Sequence, residues 1–404
     1  MSATAALPVV TVADRAAARA RAGHPWIWRP DVVNLPAGLA AGPVLVRDRS
    51  GRVVGAALYA TRSPVALRLL GGGEDAPAFG APLLETRLQA ALSRRRTMLG
   101  PEVDAFRVAH AEADELPGLV VDRYGECVVV QMGCEALDAQ ADLVLEAVRR
   151  VLSPETLVLR DDGSMRDFEG LPRRPPRLVT GASARARFHE GAVAFEMDAL
   201  ADAKTGAFLD QRENHLCAGV YGHGARRVLD AFTYHGGFAL QLLSAGAGRA
   251  LAIDESATAI ERARANADRA GFGERLEVRR GDAFEALRAL EAAGERFEVV
   301  VLDPPALAKR RGSLAQALRA YRELNLRALR LLEPEGILVT ASCSGRVSAE
   351  DFGRMLGEAS AAAGRPLQIL EKRGAGRDHP ERAGLPETAY LKCWICRALG
   401  RTRR

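Results

Sequence analysis

Lysine is nearly absent from this chain: of 404 residues only Lys204, Lys309, Lys372 and Lys392 carry an ammonium, and every other basic position is arginine. A compositional bias toward Arg and Ala accounts for this. Arginine runs such as Arg94-Arg95-Arg96 and Arg401-Thr402-Arg403-Arg404 therefore read as solvated faces rather than as reading elements. The few lysines carry more information, because a compact ammonium is not freely exchanged for a guanidinium. Long apolar runs are also missing. Nothing approaches the ~18 consecutive apolar residues of a membrane span, and the N-terminal MSATAALPVVTVADRAAARA has no basic stretch followed by an apolar core. A soluble, cytoplasmic protein without membrane association is expected. Cysteines number only six, at 127, 134, 217, 343, 393 and 396, scattered in a way that, in a reducing compartment, argues for free thiols rather than a disulfide framework. Cys393 and Cys396 form C-x-x-C, but no second Cys/His pair accompanies them, so no metal site is expected. The chain also lacks G-x-G-x-x-G, which disfavours a nicotinamide or flavin cofactor.

What is present is a 48% hydrophobic chain with a net charge of +5 and a pI near 9.0, long enough for two or three packed domains. The charge permits a nucleic-acid partner without requiring one. Short β-rich runs at 43–47, 53–59 and 65–70, punctuated by Gly and Pro, predict a small β-barrel over residues 1–75, with Gly71 to Asp75 as a linker. Residues 76–190 read as a central α+β domain: a helix over 83–99, strands between Phe106 and Met132, a helix over 138–152 and a strand at 156–160. From 191 to 404 strand and helix alternate, which predicts an α/β Rossmann-like domain with a parallel sheet covered on both faces. Its strands are expected at 227–230, 249–254, 276–278, 297–303, 336–341, 367–370 and 389–397.

In such sheets ligands bind beyond the carboxyl ends of the strands. The first strand ends at Asp230 and runs into Ala231-Phe232-Thr233-Tyr234-His235-Gly236-Gly237-Phe238, a loop whose glycines let backbone approach a ligand. The second ends at Asp254, at a spacing suited to ribose hydroxyls, and the third is followed by Asp282 and Phe284, suited to an adenine. Acids at successive strand ends without a phosphate cradle suit a nucleoside cofactor lacking phosphates, and S-adenosylmethionine fits. The competing reading is that Asp230, Asp254 and Asp282 merely cap helices.

The fourth strand delivers Asp303-Pro304-Pro305, whose prolines hold the loop extended before a planar, nitrogen-bearing substrate. An exocyclic amine can attack a methylsulfonium unaided, whereas C5 of a pyrimidine needs a nucleophile added at C6, and a thiolate supplies one. Cys343, in the polar turn Ser342-Cys343-Ser344-Gly345 at the end of the neighbouring strand, is placed for that role. Cys127, Cys134 and Cys217 read as buried small hydrophobes.

These segments resemble the S-adenosylmethionine-dependent cytosine-5 methyltransferases of bacterial 23S ribosomal RNA. The resemblance rests on Gly23-His24-Pro25-Trp26-Ile27-Trp28, Glu115 to Gly125, Phe208 to Asn214, the glycine loop, Asp303-Pro304-Pro305, Ser342-Cys343-Ser344, and the closing His379-Pro380, Pro386-Glu387 and Tyr390-Leu391-Lys392. It implies an N-terminal PUA domain and a class I methyltransferase domain, with RNA as partner and a single-stranded or flipped-out cytosine as target. It further implies that Phe208, Gln211, Arg212, Asp230, Phe232, Tyr234, Gly236, Gly237, Asp254, Asp282 and Asp303 surround S-adenosylmethionine. Cys343 is then the nucleophile, with Asp303 beside it, and Pro304, Pro305, Lys309, Ser342 and His379 face the substrate. A homodimer is compatible with the resemblance. In this family the second proline is usually followed by a residue and then Phe, whereas here Ala306-Leu307 follow Pro305, and His235 stands in place of the usual small or hydroxyl residue. Two other readings are a methyltransferase acting on a base nitrogen or another RNA, with Cys343 structural, and a non-catalytic RNA-binding or assembly factor.

Overall fold

A computed structural model describes residues 7–307 and 314–400. Its contacts divide the chain into two units, one made of residues 1–186, 198–206 and 378–388 and the other of 187–197, 207–377 and 389–404.

In the first unit a six-stranded sheet runs in the order Trp26–Trp28, Val65–Gly72, Val53–Tyr59, Gly42–Asp48, Val9–Val12, Val32–Asn34. Alternation makes it: along Gly42–Asp48 every second residue is buried, and Val10, Val12, Ile27, Val44, Val46 and Leu67 form the core it encloses. The predicted linker begins inside a strand, since pairing continues to Gly72 against Gly55. The middle sheet has five strands, ordered Arg177–Thr180, Thr156–Leu159, Cys127–Met132, Leu119–Tyr124, Ala105–His110. The helices Ala81–Leu99 and Ala141–Leu152 lay Leu84, Leu88, Val144 and Val148 into a core that also receives Leu58 and Leu70 of the barrel. One apolar core thus joins barrel and middle domain, and the wholly buried Arg95–Asp114 ion pair lies within this unit.

The second unit is a seven-stranded sheet ordered Leu276–Arg280, Arg249–Asp254, Arg227–Ala231, Phe297–Leu302, Leu332–Ser342, Lys392–Ala398, Leu367–Arg373. All seven expected strands form. One expectation is corrected: the sheet is not wholly parallel, because Lys392–Ala398 runs antiparallel to both neighbours. A parallel return requires a crossover, usually a helix, and between Arg373 and Lys392 the chain forms only the single turn Pro386–Thr388. Helices such as Leu314–Leu331 and Ala349–Ala363 cover the sheet, with Tyr321, Phe352 and Trp394 packed edge to face. No helix among the described residues is long and apolar enough to cross a membrane.

Candidate active site

The parallel registers fix which residues share the sheet's carboxyl edge. Ala231 lies beside Ile253 and Leu302, and Leu302 beside Thr340, so Asp254, Asp303 and the Ser342-Cys343-Ser344 turn all emerge on the same side. The loop after the first strand is held in an unusual backbone shape. Phe232 and Tyr234 have left-handed φ of 68° and 51°, and Gly236 follows at 85°. Non-glycine residues adopt that region at a cost of order 1–3 kcal/mol each, which persists only where neighbours enforce it. The enforcing contacts are visible: the Phe232 and Thr233 amides both donate to the Ile253 carbonyl at 2.9 and 3.0 Å, and the Tyr234 amide donates to Asp254 Oδ2 at 3.0 Å.

Beneath the loop, a Cβ at Gly237 would come within 2.4 Å of the His215 ring. His215 is buried against Phe238 and pairs through Nδ1 with Glu190 Oε2 at 2.7 Å. Burial pushes its pKa down, but the Glu190 carboxylate, with Asp303 and Asp230 further off, leaves it raised. This ion pair escaped the sequence reading; Glu190 belongs to the hairpin Arg185–Glu190/Val193–Asp198 ahead of the sheet and carries no motif.

The acids at the strand ends are partly committed to the backbone. Asp230 is fully buried, and its Oδ2 accepts from Thr233 Oγ1 at 2.6 Å and the Ala239 amide at 3.0 Å, while Oδ1 has no partner among the described residues. Burial raises its pKa to about 6. It braces the loop from below, which is the capping alternative in its strongest form. Asp254 also accepts from the Ser256 amide at 2.9 Å, and Asp282 caps the helix Ala283–Ala292 through the Glu285 amide at 3.0 Å. Each of these two is at least partly exposed and keeps lone pairs for a ligand. Phe208 meets Tyr234 edge-on at 4.7 Å, and Tyr234 stacks on His235, whose buried ring is pushed down to about 3 and is neutral. His235 thus supports the loop's aromatic residue.

On the other flank, Gln211 donates through Nε2 to Asp303 Oδ1 at 2.9 Å and accepts from Asn214 Nδ2 at 2.6 Å; Asn214 in turn accepts from Arg373 Nε at 2.8 Å. Arg212 is buried next to Glu213. Pro304 is buried and Pro305 exposed, and Leu307 packs against the sheet's core.

Cys343 is half-buried between two buried serines, and its Sγ lies 3.9 Å from the Pro304 carbonyl oxygen. The serines are anchors: Ser342 Oγ donates to the Tyr321 hydroxyl at 3.0 Å, and that hydroxyl lies 3.0 Å from Ser344 Oγ. Ser342, expected to face the substrate, is wholly buried and holds the turn instead. Lys392, paired in register with Ser342, donates to the carbonyls of Ser344 and Tyr390 at 2.8 and 2.9 Å. Burial lowers its pKa to about 8, opposed by attraction to a Cys343 thiolate. Its part in this cluster was not assigned from sequence, although Tyr390-Leu391-Lys392 stood out. The other thiols differ: burial pushes Cys127, Cys134 and Cys396 up to about 12 and Cys393 well above its ordinary value, and Cys217, half-buried and donating to Glu371, up to about 11. His379 belongs to the other unit, where it is buried against His110 and paired with Asp378. Lys309 lies outside the described residues.

Residues 10–71 match the family model of a PUA-like domain and residues 223–373 that of a methyltransferase domain. A Tolumonas auensis protein named ribosomal RNA large subunit methyltransferase I is 32% identical over 381 residues, covering 93% of this chain and 96% of its own. The chain belongs to this family. A Photobacterium profundum member of the same name is 32% identical over 389 residues, with the same coverage of 93% and 96%. Among solved structures, SMU.776, a methyltransferase complexed with SAH, superposes with a TM-score of 0.83 at 16% identity, covering 96% of this chain and 100% of that one. A SAM-dependent methyltransferase from Streptococcus mutans gives 0.81 at 15%, with the same coverage of 96% and 100%. The fold is therefore an N-terminal PUA-like domain, a central α+β domain and a C-terminal class I methyltransferase domain, and the family is one of ribosomal RNA large-subunit methyltransferases.

Proposed function

We propose that this protein methylates C5 of a cytosine in 23S ribosomal RNA, with Cys343 forming a transient bond to C6 of the base and S-adenosylmethionine as methyl donor. The observation that carries the reading is the half-buried thiol of Cys343, 3.9 Å from the Pro304 carbonyl and on the same sheet edge as Asp254 and Asp303.

The residues fit the cofactor. The Gly237 position has no room for a side chain, the loop before it is held left-handed, and Asp254 and Asp282 keep unused lone pairs at adjacent strand ends. Asp254 would take the ribose hydroxyls and Asp282 the adenosine beyond them, with Phe208, Phe232, Tyr234 and Gly236 along the loop and Gln211, Arg212 and Asp303 opposite. The cofactor supplies an electrophilic methyl group. Everything else falls to the chain. The Cys343 thiolate adds to C6, and the electron pair of the C5–C6 double bond shifts so that C5 becomes nucleophilic. After C5 has taken the methyl group, loss of its proton to a base restores the double bond and expels the thiolate. Asp303, held by Gln211, with Pro304 and Pro305, supplies a rigid frame of acceptors for the base's amino edge. A base within a duplex cannot reach such a thiol, so the target is single-stranded or flipped out. An rRNA substrate also puts the protein in the cytoplasm.

The test is mass spectrometry of nucleosides from unmodified 23S rRNA treated with the protein and cofactor. The expected product is 5-methylcytidine, and Cys343→Ala is expected to bind cofactor normally while losing on the order of 1,000-fold or more in turnover. Methylation on a base nitrogen, or undiminished turnover by Cys343→Ala, contradicts the reading.

A further inference from the structure

The first unit holds a cleft of about 680 Å³, within the ~300–1,000 Å³ of small-ligand sites. Every residue that lines it belongs to that unit, so it is distinct from the Cys343 site. One wall is the barrel strand Trp26–Trp28; the other is the middle sheet with the short helix Met165–Phe168. The helix holds two apolar side chains in solvent at the cleft, Met165 at 56% and Phe168 at 44% exposure. Single exposed apolar residues need no explanation, but two side by side against a pair of indoles make a patch that binds something.

The aromatic wall is built rigidly. Trp26 and Trp28 meet edge to face with ring centres 6.0 Å apart. The Trp26 indole N–H donates to Glu112 Oε1 at 2.8 Å, and the Arg68 guanidinium sits 5.6 Å from the Trp26 ring while bonding Glu169 Oε1 at 2.7 Å. Arg68, Glu112 and Glu169 are all buried, so the indole is held in place before any ligand arrives. The cleft also presents polar groups not committed to the protein: among the described residues neither the Gln131 amide nor the Ser164 hydroxyl, both lining it, has a protein hydrogen-bond partner. Its arginines are buried and already paired, Arg68 with Glu112 and Glu169, Arg160 with Asp162, and Arg166 with Asp138 and Asp161, which fixes the walls of the cleft.

We propose that this cleft captures one unpaired nucleobase of the RNA substrate, at a nucleotide other than the one methylated. A cleft with a fixed indole beside a second one, apolar rims and an amide that can both donate and accept is what a splayed-out base requires. A protein partner would need a contact face of about 800 Å² per side rather than a pocket for one planar group. The proposal deepens the RNA-methyltransferase reading by naming a second contact that sets which RNA is held. It does not depend on which atom is methylated.

Equilibrium binding of unmodified 23S rRNA, transcribed in vitro, to the full chain tests it. Trp28→Ala, Gln131→Ala and the surface change Phe168→Ser, the last unable to disturb a core, are each compared with wild type. Binding of the RNA is expected to weaken about 10- to 100-fold in Trp28→Ala and several-fold in the other two. KM for RNA should rise with kcat at saturation and cofactor affinity unchanged, and short single-stranded oligonucleotides should quench tryptophan fluorescence in wild type. RNA binding within twofold of wild type in Phe168→Ser and Gln131→Ala overturns the proposal, as does loss of self-association or of protein binding with RNA affinity intact. Because binding is read without turnover, a failure here is separate from a failure of the Cys343 chemistry, which Cys343→Ala reports alone.

Discussion

Among the six cysteines, Cys343 stands apart through its surroundings rather than its own side chain. The thiols of Cys127, Cys134, Cys217, Cys393 and Cys396 are held protonated, by burial above all, whereas Cys343 is half-buried near a lysine ammonium. That ammonium has neutral carbonyl partners, and among the described residues its charge is not cancelled by a carboxylate in direct contact. Lys392→Met is accordingly expected to move alkylation of Cys343 by iodoacetamide to higher pH. An unmoved profile would show that the lysine serves packing only. In the wild type the lysine itself loses its proton near pH 8, so its support of the thiolate fades above that pH.

Asp230 illustrates the opposite case, a carboxyl disfavoured as an anion. Its pKa is about 6 in the folded protein against 3.8 ordinarily, so between about pH 4 and 6 the folded state keeps a proton that the unfolded chain has released. Stability from this group therefore falls as pH rises through that window and is constant above it, by about 3 kcal/mol in total. Asp230→Asn should remove this slope from denaturant midpoints measured between pH 4 and 7. Both residues also show what sequence leaves unread. A strand-end acid could be predicted at 230, but not that the strand carries it just inside the sheet edge, where Thr233 and the Ala239 amide take it up.

At the scale of elements, the seven strands of the second unit were legible because each is a short apolar run closed by a turn or an acid. The direction of Lys392–Ala398 was not, since direction depends on what connects two strands rather than on their composition. The hairpin Arg185–Glu190/Val193–Asp198 was half seen, and with it the Glu190–His215 pair that props the glycine loop was missed. That pair makes the loop's shape testable. Gly237→Ala would drive a methyl group into the His215 ring, an overpacking expected to cost about 1–3 kcal/mol. Calorimetry should show cofactor affinity falling at least tenfold, while the barrel and middle sheet melt as before. Unchanged affinity would mean that the loop's backbone does not shape the cofactor site.

For the whole molecule, the division of labour was read in advance: a barrel and middle domain for holding RNA and an α/β domain for chemistry. The family match bears out the PUA-like and methyltransferase assignments. What could not be read was the fusion of barrel and middle sheet around one core, because it arises from Leu58 and Leu70 joining Leu84 and Leu88 in one buried cluster, which no local pattern encodes. Nor was the Trp26–Trp28 cleft visible, as its walls come from segments roughly a hundred residues apart. Covalent addition of Cys343 to the base can be trapped directly. A cytosine bearing fluorine at C5 accepts the thiolate and the methyl group but has no C5 proton to lose, so the adduct cannot resolve. Incubated with cofactor and 23S rRNA containing 5-fluorocytidine, the protein is predicted to form a denaturation-resistant conjugate whose digest carries the nucleotide on the peptide containing Cys343. A wild-type protein that methylates normal rRNA yet gives no conjugate, or a conjugate that persists in Cys343→Ala, would contradict the account.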